Sequence, residues 1–441
     1  MTNPPVPLKI EQDTGVLVYA TSTPGLGGLI RQVPEDFVVD ELTNREEQDT
    51  GKYLICTLAK KNWDTHHLIR DISRILRISQ QRIGWAGTKD KQALTTQKIS
   101  IYDLDQSELE RIKLRDVTIT PVGRSNKQVS LGDLWGNRFR IIIRKIAQPV
   151  DEVNALMGLT SSEIKERGGV PNFFGIQRFG IQRPITHLVG KKLVEGDIEG
   201  AALAYIARPC PGESEDARQV RQYVLDTLDL KGGLEKYPLR LRYERAMMSH
   251  LVEKPGDYAG AFLSLSPNLR KMFVHAYQSY LFNLILSRRL EMGIPINKAL
   301  SGDIVCFKNV AGLPDTTRTQ LVNGDTLDGI NNLLQRGRAF VTGPVIGYNT
   351  ALSEGLPGET EQSVIEGDKV NLEGFRMPAI PELSSKGLRR EVIIPVDPEY
   401  RVMEDAMNPG NTAVELGFKL QKGAYATILL REYMKSNPEG I

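Results

Sequence analysis

The fold prediction rests on one stretch, RIGWAGTKDKQALTTQKISIY at residues 82–102. A short apolar run breaks at Gly87 and resumes as a β-like stretch over residues 97–102, which predicts a strand, a loop and a second strand. Just before it, the apolar residues between 68 and 76 recur at helical spacing. Because strand and helix signals are interleaved, the sequence predicts an α+β fold of mixed α and β structure.

The other segments extend this pattern in both directions. Strand signals lie at residues 117–122, 137–146, 390–396 and 414–426. Helical patterns, predicted to run almost unbroken beyond residue 187, lie at residues 104–112, 149–168, 191–206, 216–230, 259–290 and 427–434. A Gly- and Pro-rich portion, residues 302–381, predicts short strands and turns. We therefore predict a mixed domain whose terminal strands rejoin its first sheet, interrupted by a largely helical insert: residues 1–189 plus 386–441, and residues 190–385.

The composition is that of a soluble globular chain. Of 441 residues, 40% are hydrophobic and 25% are charged, which argues against disordered, collagen-like and coiled-coil classes. Residues 1–15 lack the pattern of a secretory signal, and no stretch approaches the roughly 20 apolar residues of a membrane span. The three cysteines are far apart, which favours a reducing cytoplasm and predicts that the thiols are buried fillers. We expect a cytoplasmic protein, with a monomer as the default state.

The net charge of +2 hides an uneven distribution. Residues 1–59 carry four cations and nine carboxylates, a net −5, whereas residues 60–98 carry nine cations and three carboxylates, a net +6. Such a basic block is typical either of a solvated helix face or of a phosphate-binding surface. The total charge alone therefore does not argue against a polyanionic partner.

Metal sites, hydrolase triads and nucleotide loops find little support in the sequence. None of the five histidines forms the His-Glu-x-x-His pattern of a zinc protease, and no G-x-S-x-G elbow occurs. The segment GWAGTKDK at residues 84–91 fails the phosphate-loop pattern, because Thr precedes Lys89 and Asp follows it. A nucleotide-handling enzyme remains a rival hypothesis that ATP or GTP binding would reveal.

Asp90 is the first candidate for chemistry. It lies between Lys89 and Lys91 in the predicted loop, where nearby positive charge should favour its anionic form. An ionised carboxylate in such a loop suits nucleophilic or general-base catalysis. The competing interpretation is an ordinary surface tripeptide.

Two further segments carry aromatic side chains next to polar ones. Residues 172–180, NFFGIQRFG, could stack an unpaired base on Phe174 and hydrogen-bond its edge through Asn172, Gln177 or Arg178. A packed turn with its phenylalanines in the core is the alternative. The segment RQVPEDFVVDEL, residues 31–42, predicts a turn ahead of a strand that contains Phe37.

Taken together, these motifs resemble the TruD family of tRNA pseudouridine synthases. The matching stretches occur in the family's order: RQVPEDFVVDE at 31–41, GWAGTKDKQALTTQ at 84–97, NFFGIQRFG at 172–180 and FKLQKGAYATILLRE at 418–432. The resemblance implies a pseudouridine synthase-type catalytic domain with a mixed, mainly antiparallel sheet flanked by helices, interrupted by a TRUD-type insertion domain. It also implies a tRNA substrate, uridine 13 in the D arm, and neither a cofactor nor a metal.

The resemblance also assigns residues. The family's catalytic aspartate matches Asp90, with Lys89 beside it, and its active-site asparagine matches Asn172. The remaining matches are aromatic: the base-stacking ring corresponds to Phe174, the P-E-D-F ring to Phe37, and the ring of the G-[SA]-[YF]-A-T motif to Tyr425.

The implied reaction breaks the bond between uracil N1 and C1′ of the sugar, turns the base and rejoins it through C5. A carboxylate could attack C1′ or abstract the 2′ proton, and the sequence leaves both routes open. The uridine must first be flipped out of its stack. The alternative function is a non-catalytic RNA-binding module on the same scaffold, which a degraded active-site set would favour.

Overall fold

The fold is built on a larger sheet of eight strands, a smaller sheet of four, a two-stranded sheet, and a cluster of helices, described here for residues 5–436 of a computed structural model. Residues 1–4 of the amino-terminal segment considered above lie outside this range. The strands are β1 Phe37–Leu42, β2 Tyr53–Lys61, β3 Ile83–Trp85, β4 Leu94–Tyr102, β5 Val117–Ser125, β6 Gly136–Ile146, β7 Val170–Pro171, β8 Ile304–Lys308, β9 Pro314–Leu321, β10 Ala339–Val345, β11 Leu388–Glu391, β12 Ile393–Ile394, β13 Glu399–Glu404 and β14 Thr412–Gln421.

Helices flank these strands and make up most of the middle of the chain. They are α1 Lys9–Gln12, α2 Thr65–Leu76, α3 Val150–Glu166, α4 Thr186–Val194, α5 Ile198–Ala207, α6 Glu215–Thr227, α7 Leu230–Lys236, α8 Arg242–Glu253, α9 Tyr258–Leu263, α10 Pro267–Glu291, α11 Leu327–Gln335, α12 Gly355–Gly367 and α13 Ala426–Met434.

The larger sheet has the strand order β13-β14-β6-β1-β4-β2-β5, with β3 paired to β4. Strands β1 and β4 run parallel, whereas the other pairs of this sheet are antiparallel, so the predicted mixed and mainly antiparallel sheet is confirmed. Parallel strands begin at the same edge of a sheet. The turn before β1 and the loop before β4 are therefore neighbours, and this brings residues 31–37 to Asp90.

The strand-loop-strand prediction for residues 82–102 is confirmed, but β4 begins at Leu94, earlier than residue 97. Polar residues hide its start, because Thr95 and Gln97 occupy buried positions in the alternation. Gln97 Nε2 is satisfied by the carbonyl of Gly87, 3.2 Å away in the loop. Of the two predicted carboxyl-terminal strands, the one at 414–426 rejoins this sheet as β14. The one at 390–396 does not: it is divided between β11 and β12, which belong to two other sheets, and the large sheet is instead extended by β13.

The prediction of almost unbroken helices was wrong at three places. The pattern at 191–206 divides into α4 and α5, because Gly196 adopts φ +80° and Asp197 caps the next helix. The pattern at 259–290 divides before Pro267, which opens α10, and Leu228 ends α6 in the left-handed region. Two helices, α11 and α12, lie in the portion predicted as strands and turns. The helix predicted at 104–112 is a 3₁₀ helix, Gln106–Arg111, rather than an α-helix.

Helix α10 joins the two halves of the molecule. Its residues Phe282 and Leu286 pack in the core that also holds Phe37 and Phe173, while the other side of the helix contributes to the core of the helical region. The smaller sheet, β11-β10-β8-β9, includes β11, which lies beyond the predicted boundary at 386. The sheet of the insert therefore includes β11, and the chain continues from β11 into β12, which pairs with β7 next to residue 172.

The three thiols are buried, as predicted, at Cys56, Cys210 and Cys306. Over residues 5–436, no helix combines the length and the hydropathy needed to cross a bilayer.

Candidate active site

Asp90 lies on the exposed surface of the loop before β4, and within residues 5–436 one arginine reaches its carboxylate. Arg31 Nη2 is 3.4 Å from Asp90 Oδ1, and the Asp90 side chain is 51% exposed. The same guanidinium lies over the Phe37 ring, 3.9 Å from its centroid. Burial lowers the pKa of Arg31, and the Asp90 carboxylate opposes that shift. Arg31 thus links Asp90 to a ring that is 1% exposed.

Lys89 does not supply the positive charge expected beside Asp90. Its Nζ donates to Glu41 Oε2 at 2.7 Å, and both side chains are almost fully buried. The backbone N–H of Lys89 also donates to Thr65 Oγ1, at the first residue of α2. The Lys89 side chain therefore anchors the loop to β1, and Arg31 is the cation in contact with Asp90.

Asn172 is fully buried at the end of β7, where its side-chain amide is held on both sides. Its Nδ2 donates to the carbonyl and to Oε1 of Glu391, each at 2.9 Å. Its Oδ1 accepts a hydrogen bond of 2.5 Å from Arg390 Nη2, which also donates to the carbonyl of Gly423 at 2.9 Å. Burial lowers the pKa of Arg390. The orientation of Asn172 is thus set by two consecutive residues of β11.

Phe174 presents a partly buried ring between several aromatic and cationic groups. The Arg390 guanidinium carbon lies 4.3 Å from its centroid, Phe282 contacts it edge-on at 5.5 Å, and Tyr425 contacts it at 6.4 Å. At the following residue, Gly175, a Cβ would lie 2.5 Å from Gln177 Oε1 and 3.1 Å from the Tyr425 ring, so a side chain there would displace the Gln177 amide and crowd the ring. The glycine therefore allows the two aromatic segments to meet.

A cleft of about 390 Å³ opens beside this ring. Gln177 is exposed and lies 3.3 Å from Thr427 Oγ1, and Arg178 reaches Ser279 Oγ at 3.4 Å. The cleft lies between the segment that carries Phe174, helix α10 and the strands of the smaller sheet, and its polar lining includes Arg178, His275, Gln278, Ser279, Thr316, Arg390, Glu391 and Lys422. It has the hydrogen-bonding groups and the aromatic wall that a flipped base requires.

The predicted site residues fall into two groups. Asp90, Lys89 and Phe37 form one group, while Asn172, Phe174, Gln177, Arg178 and Tyr425 form the other. Among residues 5–436, no hydrogen bond, ion pair or ring contact joins Asp90 directly to Asn172 or Phe174. They are joined indirectly: Lys422, next to Gly423, donates to the carbonyl of Gly132, whose N–H donates to the carbonyl of Ala86 in the loop that carries Asp90.

The basic block at residues 60–98 is partly neutralised within the fold. The acidic amino-terminal stretch supplies carboxylate partners for three of its lysines: Lys61 with Glu35, Lys89 with Glu41, and Lys98 with Glu47. Arg70 and Arg74 lie beside Asp71, and Arg82 donates to the carbonyls of Tyr102 and Asp103. The two charge blocks thus compensate each other in space, and we do not place the main phosphate-binding surface there.

Sequence reasoning missed Arg31, Arg390 and Glu391. Arg31 is the first residue of the RQVPEDF segment, and a cation so close in sequence to Phe37 could have indicated a site residue. Arg390 and Glu391 are more than two hundred residues from Asn172 in the chain, so no local pattern connects them. Within residues 5–436, no group of three or more His, Cys, Asp or Glu side chains is arranged to hold a metal ion.

Comparison with known proteins supports the resemblance read from the motifs. The model of the family described as tRNA pseudouridine synthase D (TruD) matches residues 13–433. A protein of that name from Methanosarcina mazei is 57% identical over 430 residues, which cover 98% of both chains. Another from Pyrococcus furiosus is 40% identical over 423 residues, covering 96% of this chain and 99% of the relative.

A solved structure agrees with these sequence matches. A crystal structure from Methanosarcina mazei, described as a tRNA pseudouridine synthase D, superposes with a TM-score of 0.91 at 56% identity. The match covers 98% of this chain and 99% of that chain.

Proposed function

The chain belongs to the TruD family of tRNA pseudouridine synthases, and on that premise we propose that it isomerises uridine 13 of tRNA with Asp90 as the catalytic carboxylate. As a member of this family, the chain is an isomerase that forms pseudouridine in tRNA. The observation that carries the finer proposal is the contact of Arg31 with an exposed Asp90 on a loop held from both sides. Such a carboxylate is available to a substrate and has a fixed neighbouring cation.

Asp90 would act at the sugar of the flipped uridine. The carboxylate either bonds to C1′ as the N1–C1′ bond breaks, or removes the 2′ proton to initiate the same cleavage. In both routes uracil leaves with the electron pair on N1 and turns. In the first route C5 bonds to C1′ as the bond between C1′ and the Asp90 carboxylate breaks. In the second route C5 bonds to C1′ while the protonated Asp90 returns its proton to C2′. The C5 proton is then lost and N1 is protonated, so atoms and charge balance without an external reactant.

Phe174 and Asn172 would hold the base while it is detached. Flipping a uridine costs a few kcal/mol, and stacking on an aromatic ring returns about 1 to 3 kcal/mol per base. Arg390 already covers part of Phe174, so we assign the free part of the ring, facing the cleft, to uracil. Asn172 would orient the base or the carboxylate, and Tyr425 would close the apolar wall.

The other predicted residues take supporting roles in this proposal. Lys89 fixes the catalytic loop through Glu41, and Phe37 supports the Arg31 guanidinium that contacts Asp90. Gln177 and Arg178 lie next to the base-stacking segment and would contact the RNA around the target nucleotide.

The substitution Phe174→Ala should slow a single turnover by about 30-fold, because the stacking worth about 1 to 3 kcal/mol is lost. Phe174→Tyr, which keeps the ring, is the matched variant and should remain within a few-fold of the wild type. Rapid-quench measurement of pseudouridine formation at saturating enzyme checks this. An unchanged rate for Phe174→Ala would remove Phe174 from the proposed stacking role.

tRNA affinity should fall steeply with salt concentration, because phosphate contacts release counterions. Arg178→Met should weaken binding and reduce the slope of log affinity against log salt by about 0.7 to 0.9 if Arg178 contacts one phosphate. Lys61→Met is the control, since its ammonium is paired with Glu35, and it should leave the slope unchanged. Filter binding at several salt concentrations measures both. Equal slopes for wild type and Arg178→Met would show that Arg178 does not contact a phosphate of the tRNA.

The target assignment has its own test. A tRNA transcript that contains cytidine instead of uridine at position 13 should yield no pseudouridine with the wild-type enzyme, whereas the unchanged transcript should yield one per molecule. Full modification of the substituted transcript would show that another uridine is the target.

A further inference from the structure

We propose that Lys60 is a positioning residue whose buried ammonium group holds the backbone of the catalytic loop at Asp90. The inference rests on the proposed role of Asp90. It starts from three hydrogen bonds: Lys60 Nζ donates to the carbonyls of Trp63 at 2.7 Å, Asp90 at 2.9 Å and Lys89 at 3.4 Å. One ammonium thus joins the backbone of Lys89 and Asp90 to the segment that leads into α2.

The position of Lys60 in its strand is unusual for a lysine. Along β2 the residues Leu54, Cys56 and Leu58 point inward, and Lys60 continues this buried series with 1% exposure. A buried charge is costly unless it is well hydrogen-bonded. An ammonium group has three N–H donors, and the three carbonyls match that number. The arrangement therefore satisfies the charge with loop backbone, without a carboxylate in hydrogen-bond contact among the described residues.

Holding the Asp90 carbonyl also restrains the backbone from which the Asp90 side chain projects. The carbonyl is part of a peptide plane that adjoins the Asp90 Cα, so its rotation would swing the carboxylate relative to Arg31 and to the substrate. Thr65 restrains the same loop through the backbone of Lys89. A displacement of 1 Å of a reacting group is enough to lower a rate by up to about 100-fold.

The ammonium is also the component of this clamp that titrates. Burial lowers the pKa of Lys60 to about 8, and the ammonium of Lys89 acts in the same direction, whereas the carboxylates of Asp90 and Asp64 oppose it. A neutral amine keeps two N–H bonds for three carbonyls and loses the strength that its charge gave them. The loop should therefore be held less firmly above about pH 8.

Deprotonation of Lys60 does not destabilise the fold, so a loss of activity above pH 8 is not explained by unfolding. Between pH 8 and the ordinary lysine value of 10.5, the unfolded chain binds more protons at this position than the folded chain. The free energy of unfolding contributed by Lys60 therefore rises with pH across that window. Loop positioning and global stability should change in opposite directions.

The test compares wild type with Lys60→Met, which fills the same space without a charge. At pH 7 we expect Lys60→Met to lower kcat by about 10- to 30-fold, with the KM for tRNA within twofold. The ratio of wild-type to variant kcat should shrink toward one between pH 7 and pH 9.5, because the wild-type clamp is then also uncharged. Lys60→Arg, which keeps its charge, should restore part of the rate at pH 7 and flatten the alkaline limb.

Controls separate this inference from the proposed function. Lys61→Met alters the neighbouring lysine on the other face of β2 and should leave kcat and its pH profile unchanged. Thermal unfolding of each variant reports any loss of fold. A wild-type to Lys60→Met ratio that stays constant from pH 7 to 9.5, or a Lys60→Met enzyme with normal kcat, would overturn the positioning role. If Asp90→Asn is inactive in the same experiment, the proposed function is supported even when the positioning role of Lys60 is overturned.

Discussion

Asp90→Asn should abolish pseudouridine formation, by at least about 10³-fold in a single turnover, while tRNA binding stays within a few-fold of wild type. The amide has nearly the same shape as the carboxylate, but it neither attacks C1′ effectively nor removes a 2′ proton. The side chain is half exposed, so the substitution leaves no unpaired group in the core. Mass spectrometry of the tRNA after single-turnover incubation, together with filter binding, measures both quantities.

Asp116→Asn serves as the matched control for this substitution. Asp116 adopts φ +59°, which asparagine tolerates, and its carboxylate lies 3.5 Å from exposed Arg115, on the other side of β2 from the catalytic loop. We expect its activity to equal that of the wild type. Substantial turnover by purified Asp90→Asn would remove the catalytic role from this residue, even if the protein remained a pseudouridine synthase.

Arg390→Met should lower the single-turnover rate by about 100- to 1000-fold, more than the loss of Phe174 alone. Arg390 fixes the Asn172 amide, reaches the carbonyl of Gly423 and covers the Phe174 ring. Its removal therefore releases the Asn172 amide and uncovers the Phe174 ring that is proposed to stack on the base. It also leaves the buried Asn172 oxygen without this donor, at a cost of about 1 to 3 kcal/mol in unfolding free energy.

Arg376→Met provides the control, because Arg376 also lies over an aromatic ring, Tyr348, at 3.8 Å, but outside the cleft. That variant should keep its full rate. Comparison of the rate with the melting temperature distinguishes a site effect from a folding effect. If Arg390→Met lowers stability yet turns over at the wild-type rate, Arg390 has no part in holding the base.

Local patterns predicted the parts of the fold that depend on neighbouring residues. The strand, loop and strand around Asp90 followed from a break at Gly87, and the apolar series of α10 followed from helical spacing. Breaks within the helical region were missed, because the apolar pattern continues across them. Single residues such as Gly196 and Pro267 end one helix or begin the next. The β4 start was hidden by the buried polar residues Thr95 and Gln97, of which Gln97 donates to the carbonyl of Gly87 in the loop.

The same limit applies to the candidate site. Asp90 and Phe174 stand in recognisable motifs, but their neighbours do not. Arg31 reaches Asp90 only because β1 and β4 are parallel, and Arg390 reaches Asn172 only because β12 pairs with β7. The basic block was readable as charge, yet its neutralisation by the acidic stretch depends on strand pairing that no local pattern contains.

Mapping of pseudouridine at single-nucleotide resolution tests the central claim most directly. An unmodified tRNA transcript is incubated with wild type, with Asp90→Asn or without protein, and each uridine is then scored. We predict complete conversion at position 13 with wild type and none at any position in the other two samples. Conversion at position 13 by Asp90→Asn, or the absence of conversion there by wild type, would contradict the account.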